Sequence, residues 1–93
     1  MKLNNTSINI DNLGERITLY GWVSKKRDLG NLIFIDLRDR SGIIQLTINN
    51  ESKAYELASH LKNESVIKVS GTILKRQTAN PNLKTGEIEL DVN

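Results

Sequence analysis

In the run Leu32-Ile33-Phe34-Ile35-Asp36-Leu37-Arg38-Asp39-Arg40-Ser41-Gly42-Ile43-Ile44-Gln45-Leu46-Thr47-Ile48, aliphatic residues recur at every second position on both sides of a short polar break. Ile33, Ile35 and Leu37 alternate with Phe34, Asp36 and Arg38. Beyond the break, Ile44, Leu46 and Ile48 alternate with Ile43, Gln45 and Thr47. A period of two, rich in β-branched residues, marks a strand with one buried face. Asp39-Arg40-Ser41-Gly42 carries turn chemistry, with glycine in its last position. The run therefore predicts an antiparallel hairpin whose aliphatic residues point to one core.

The same alternation extends in both directions. Upstream, Ile17, Leu19, Gly21 and Val23 alternate with Thr18, Tyr20, Trp22 and Ser24, which predicts a strand. Gly21 within it implies a sharp bend or bulge, as at a barrel corner. Lys25 to Asn31, charged and containing Gly30, reads as a hairpin loop. Residues 1–14 form an Asn-rich lead-in, with one expected helical turn ending at Gly14. Downstream, Asn49-Asn50 can cap a helix, and Glu51 suits its first turn. Ala54, Leu57, Ala58 and Leu61 follow at helical spacing as one apolar stripe, and Asn63 can stop the helix. Ile67, Val69, Gly71 and Ile73 then alternate with Lys68, Ser70, Thr72 and Leu74. Ala79-Asn80-Pro81-Asn82 breaks the chain, and Ile88, Leu90 and Val92 alternate with Glu87, Glu89 and Asp91. The fold class is all-β with one helix, in the order β-β-β-α-β-β. That is the order of the OB-fold, a five-stranded Greek-key barrel whose outer face binds oligonucleotides. Residues 15–93 are expected to form this domain.

A chain of 93 residues has room for one small core and no second domain. The formal net charge is +2, which does not by itself call for a polyanionic partner. Placement says more: Lys25, Lys26 and Arg27 form a run, Arg38 and Arg40 flank a turn, and Lys75 and Arg76 end an apolar stretch. Loops brought together could make a basic patch, although basic residues near turns are commonly ordinary solvated charges. The absence of cysteine excludes disulfides and thiolate metal sites. The single histidine, His60, has no evident ligand partners and reads as a surface residue of the helical stretch. No signal-peptide core and no membrane-length apolar run is visible, so a soluble, cytoplasmic protein is expected. The last strand runs to Asn93 without a stop signal, which points to a piece of a larger parent.

Parity also predicts what faces outward. Phe34, Gln45 and Glu89 each lie opposite the aliphatic set of their own strand. An outward ring beside an outward amide, with cations in the adjoining loops, resembles a site for an unstacked base; an ordinary barrel exterior is the other reading. Aromatic residues make up only 4 % of the chain, which suits a few splayed bases better than a long stacked strand. Asp36, Asp39, Glu87 and Glu89 read as turn caps and strand-face charges. No nucleophile–base arrangement, phosphate-cradling loop or metal-ligand cluster is apparent.

Gly21-Trp22-Val23, Lys25-Lys26-Arg27-Asp28-Leu29-Gly30, Leu32-Ile33-Phe34-Ile35-Asp36-Leu37-Arg38-Asp39-Arg40, Gly42-Ile43-Ile44-Gln45 and Thr85-Gly86-Glu87-Ile88-Glu89 closely resemble the N-terminal domain of bacterial aspartyl-tRNA synthetases. The resemblance spans roughly Ile17 to Val92. Departures are mild: two lysines open the basic run where arginines are common, and the first dozen residues match weakly. The resemblance implies that Phe34 stacks on the central anticodon base, a uridine, and that Gln45 and Arg27 contact it. It implies that Glu89 reads the first anticodon base and that the loop carrying Arg76, Asn80 and Asn82 lies near the anticodon's edge. Lys25 and Lys26 are expected on phosphates. Leu29 and Asn80 stand where family members that charge only the aspartate tRNA are similar to this chain; relaxed members tend to carry histidine or glycine there. The partner implied is the aspartate tRNA. The domain needs no cofactor, ATP and magnesium belonging to a catalytic domain outside this chain. The parent is expected to be a homodimeric ligase and the isolated domain a monomer. A free-standing OB-fold single-stranded nucleic-acid-binding protein is the alternative, and a protein-docking role for Phe34 a third reading.

Overall fold

The computed structural model describes residues 4–83 and 85–92. The first three residues of the expected lead-in, Lys84, and Asn93 at the end of the expected last strand lie outside them. The alternating segments form strands β1 (Arg16–Asp28), β2 (Leu32–Asp39), β3 (Gly42–Asn49), β4 (Val66–Lys75) and β5 (Ile88–Val92), with helix α1 (Tyr55–Ser59) between β3 and β4. They close a barrel in the order β1-β2-β3-β5-β4. The β3–β5 seam is parallel and the other pairings are antiparallel. This is the OB-fold barrel that the order of elements predicts. Leu19, Val23, Ile33, Ile35, Leu37, Ile44, Leu46, Ile48, Ile73, Ile88 and Leu90 are almost wholly removed from water inside it.

The β2–β3 hairpin is registered by its turn. Asp39 pairs with Gly42, which sets Leu37 against Ile44, Ile35 against Leu46 and Ile33 against Ile48. Asp39 Oδ1 accepts from the Ser41 N–H at 2.8 Å, the Ser41 hydroxyl at 2.6 Å and the Gly42 N–H at 3.2 Å, while Oδ2 accepts from the Asn5 N–H at 2.8 Å. Partial burial pushes this carboxyl up, but the hydrogen bonds from Ser41, Asn5 and Gly42 outweigh it and hold the group below its ordinary value. A carboxylate whose pKa is depressed on folding stabilises the fold above its unfolded value, and that stabilisation is lost as pH falls through the folded value. Asp39→Asn should therefore lower the melting temperature at pH 7. The gap to wild type should shrink as pH falls below the ordinary aspartate range and on through the lowered folded value, where the wild-type carboxylate itself takes up a proton. Parallel melts at pH 7 and pH 3 check this.

Three parts of the fold depart from what the sequence predicts. First, β1 does not stop at Ser24 but continues to Asp28, so Lys25, Lys26 and Arg27 are strand residues rather than a loop. The pairing with β2 slips between Val23 and Lys25, leaving Ser24 as an extra residue in a bulge. Gly21, where the irregularity is expected, lies three residues before it and has a different reason to be glycine: a Cβ there would collide with the carbonyl of Arg38 as β1 passes from β4 to β2. Second, the helix has five residues, and Leu57, expected on its buried stripe, is 70 % exposed. Ala58 alone of that stripe is buried, Ala54 and Leu61 pack at the margin, and Tyr55 takes the remaining place against the core. Asn49 caps the preceding turn by accepting from the Glu51 N–H at 2.9 Å. Third, the lead-in forms two 3-10 turns, Asn5–Ser7 and Ile10–Asn12, rather than one helical turn. Ile8 joins the core, and the buried Asn5 side chain donates to the Leu37 and Gly42 carbonyls at 2.9 and 3.2 Å. Among the described residues no helix is long and apolar enough to cross a membrane.

Candidate nucleic-acid interface

The bulge at Ser24 decides which side chains meet. Unbroken alternation from Ile17 through Val23 would send Lys25 and Arg27 into the barrel. One extra residue reverses the parity, so that two rows of outward side chains cross the sheet. In the first, Lys25 pairs with Asp36, Asp36 with Gln45 and Gln45 with Glu89. In the second, Arg27 pairs with Phe34, Phe34 with Thr47 and Thr47 with Asp91. Phe34 and Gln45 are thus diagonal neighbours, not direct ones. The Arg27 guanidinium lies 5.1 Å from the centre of the Phe34 ring, within cation–π range.

These rows floor a two-lobed cleft. One lobe, of about 330 Å³, is lined by Arg27, Leu32, Phe34, Gln45, Thr47, Arg76, Gln77, Thr78 and Glu89. The other, of about 150 Å³, is lined by Lys25, Arg27, Phe34, Asp36, Gln45, Arg76, Asn80 and Leu83. Arg27, Phe34, Gln45 and Arg76 belong to both. The wall is the β4–β5 loop, folded on itself: Asn80 N–H donates to the Gly86 carbonyl at 2.8 Å, Leu83 N–H to Asn80 at 3.2 Å, and Gly86 N–H to Leu83 at 3.1 Å. The Thr85 hydroxyl pins the loop to the barrel through the Ile43 carbonyl.

Gln45 faces outward as its parity predicts, yet it is only 7 % exposed, because β5 and the loop rise beside it. Its Nε2 donates to Glu89 Oε1 at 3.0 Å. Burial pushes the Glu89 carboxyl above its ordinary value, opposed by the Gln45 hydrogen bond and the charge of Arg76. The cleft offers one π face, an amide edge, a carboxylate and converging cations. That set can stack a planar ring, read its edge and neutralise phosphates.

Of the residues expected in a site, Arg27, Phe34, Gln45, Glu89, Arg76, Asn80 and Lys25 converge here. Asn82 does not line the cleft; its N–H is tied to Asn80 Oδ1 at 3.0 Å. Leu29 sits at the tip of the β1–β2 hairpin, 59 % exposed, and lines neither lobe, although its N–H donates to the carbonyl of Leu32, which does line the first. Lys26 is turned the other way by the parity reversal, pairing with the inward Ile35. Its Nζ donates to the carbonyls of Leu61, Ser59 and Ala58 at 2.8, 2.9 and 3.4 Å, satisfying the end of α1. An amine so occupied is a tie between helix and barrel, not a free phosphate contact. Lys26→Met should cost about 1–3 kcal/mol of stability and leave unchanged the salt dependence of any nucleic acid that binds at the cleft; a thermal melt and a salt titration test both halves. Thr47 and Leu32 complete the floor without having been singled out. Thr47 shares the outward parity of Gln45, so the signal was present. Gln77 and Thr78 lie in a loop whose sequence carries no period.

The family model of the tRNA anticodon type, described as an OB-fold nucleic acid binding domain, matches residues 17–93. The chain belongs to this family of OB-fold nucleic-acid-binding domains. It is 55 % identical over 80 residues to the aspartate–tRNA ligase of Lactobacillus johnsonii, covering 84 % of this chain and 13 % of that protein. It is 49 % identical over 90 residues to the aspartate–tRNA ligase of Oceanobacillus iheyensis, covering 92 % and 15 %. Among solved structures it resembles the asparaginyl-tRNA synthetase of Pyrococcus horikoshii complexed with asparaginyl-adenylate, with a TM-score of 0.84 at 26 % identity over 99 % of this chain and 21 % of that one. The chain thus spans about one seventh of the length of the curated relatives it matches.

Proposed function

We propose that this chain is the anticodon-reading domain of an aspartate–tRNA ligase and that the two-lobed cleft receives splayed anticodon bases. The observation that carries the reading is the convergence of Arg27, Phe34, Gln45 and Glu89 on one outward face, walled by the loop of Arg76 and Asn80. Phe34 stacks the central base, Gln45 reads its edge, Glu89 meets the first base, and Lys25, Arg27 and Arg76 hold the backbone. One ring in the cleft suits a few bases and argues against a sequence-tolerant single-strand binder, which needs successive platforms. Ligation belongs to the rest of a cytoplasmic, homodimeric parent, and the aspartate isoacceptor is its tRNA.

The test is a titration of the 93-residue chain with anticodon stem-loops. The aspartate anticodon should bind more tightly than loops changed at the central base. Affinity should fall with salt by roughly 0.7 logarithmic units per decade for each single-strand phosphate held. Lys25→Ala should remove about one such unit of contact for every loop alike. Equal affinity for all loops, with an unchanged slope in Lys25→Ala, refutes the reading.

A further inference from the structure

Gln45 stands between two acidic residues in one cross-strand row, Asp36 on β2 and Glu89 on β5. An amide can turn by half a rotation about its last bond and exchange oxygen for nitrogen at little steric cost, so something must decide which atom faces the cleft. Here the decision is chemical. An ionised carboxylate only accepts hydrogen bonds. The Gln45 nitrogen therefore turns to Glu89, whose Oε1 takes its hydrogen at 3.0 Å. Burial holds the Glu89 carboxyl above its ordinary value and Asp91 on the same strand adds to that, while the Gln45 hydrogen bond and the charge of Arg76 favour the ionised, acceptor-only form. With the nitrogen so committed, the amide oxygen and the second N–H are left for a ligand. Asp36, likewise acceptor-only when ionised, has no hydrogen for that oxygen.

We infer that Glu89 is a positioning residue for Gln45: by fixing the amide with its oxygen toward the cleft, it makes this edge select a base that presents a ring N–H beside a carbonyl. Uracil offers that pairing at N3–H and its neighbouring carbonyl. Cytosine, with a bare ring nitrogen in the same place, sets acceptor against acceptor. Glu89 thus governs reading at the base held on Phe34, in addition to whatever it touches itself. The inference rests on the proposed binding of anticodon bases in this cleft.

The experiment compares wild type with Glu89→Gln, which keeps the volume of the side chain but offers a donor as well as an acceptor and so releases the Gln45 amide to either orientation. Each is titrated with stem-loops carrying uridine or cytidine at the central position, and separately with loops varied at the first position. A good two-bond base contact discriminates by about 1–3 kcal/mol, or roughly 5- to 150-fold. Wild type should show a central preference in that range. Glu89→Gln should bring it to within about threefold while the melting temperature stays near wild type. A residue that met only the first base would change first-position discrimination and leave the central preference intact, and that result overturns the inference. Failure of wild type to bind any of the loops instead removes the proposed function on which it rests.

Discussion

Replacing Phe34 with alanine is expected to weaken binding of the aspartate anticodon loop by roughly 5- to 150-fold, the worth of one base–aromatic stack. The ring lies on the outer face, in the second cross-strand row, with Arg27 over it and both lobes of the cleft beside it. Its removal opens no void in the barrel interior, so the melting temperature should fall little. A buried phenylalanine would cost about 3–5 kcal/mol. The loss should also be selective: the phosphate contacts proposed for Lys25 and Arg76 do not depend on the ring, so the salt slope should remain close to that of wild type. Arg27, deprived of the ring it packs on, should become more mobile. A Phe34→Ala protein that melts far below wild type would place the ring in the core and reverse the inside–outside assignment of β2.

The second large effect is expected at Gly86, where a Cβ would run into the Asn80 carbonyl and crowd that of Leu83. Gly86 N–H donates to Leu83, and the Gly86 carbonyl accepts from Asn80, so the residue closes the compact part of the β4–β5 loop. Gly86→Val cannot keep that closure. The loop must open, carrying Asn80 away from the cleft and loosening the support of Arg76. The barrel below should survive, since Ile88 and Leu90 enter the core from β5 itself. The expected outcome is a loss of anticodon affinity on the order of tenfold or more, as for removal of one or two charge-assisted contacts. The melting temperature should fall by less than for a core truncation. Isothermal titration beside a thermal melt separates the two; unaltered affinity would mean that the loop does not wall the site.

Much of this was legible in the sequence because alternation is a local signal. Ile33, Ile35, Leu37, Ile44, Leu46 and Ile48 declare the inner face of β2 and β3, and the Asp39–Gly42 turn fixes their register. Phe34 and Gln45 follow as outward residues. Three features were not legible, each for a physical reason. The bulge at Ser24 depends on how β1 must twist to meet both β4 and β2, which is a property of the closed barrel. Because of it, Arg27 faces the cleft and Lys26 faces away, although the two are adjacent in a uniform basic run. The burial of Gln45 depends on the parallel β3–β5 seam, a non-local pairing that places Glu89 against it. The short α1 depends on what the barrel end accommodates: Tyr55 and Ala58 meet the core, and Leu57, correct in spacing, reaches only the rim of an apolar cavity and stays 70 % exposed.

The central claim is that anticodon bases enter the cleft between β1, β2, β3 and the β4–β5 loop. An NMR titration of the isotopically labelled chain with an aspartate anticodon stem-loop tests it most directly. The account predicts that the largest perturbations fall on the Gln45 side-chain amide, the Arg27 and Arg76 guanidinium N–H groups and the ring of Phe34, with Lys26 and Leu57 unmoved. Perturbations gathered instead around Trp22, midway along β1, and its partner Val66 at the start of β4, or around the exposed Leu57, with the Gln45 amide unshifted, would contradict it.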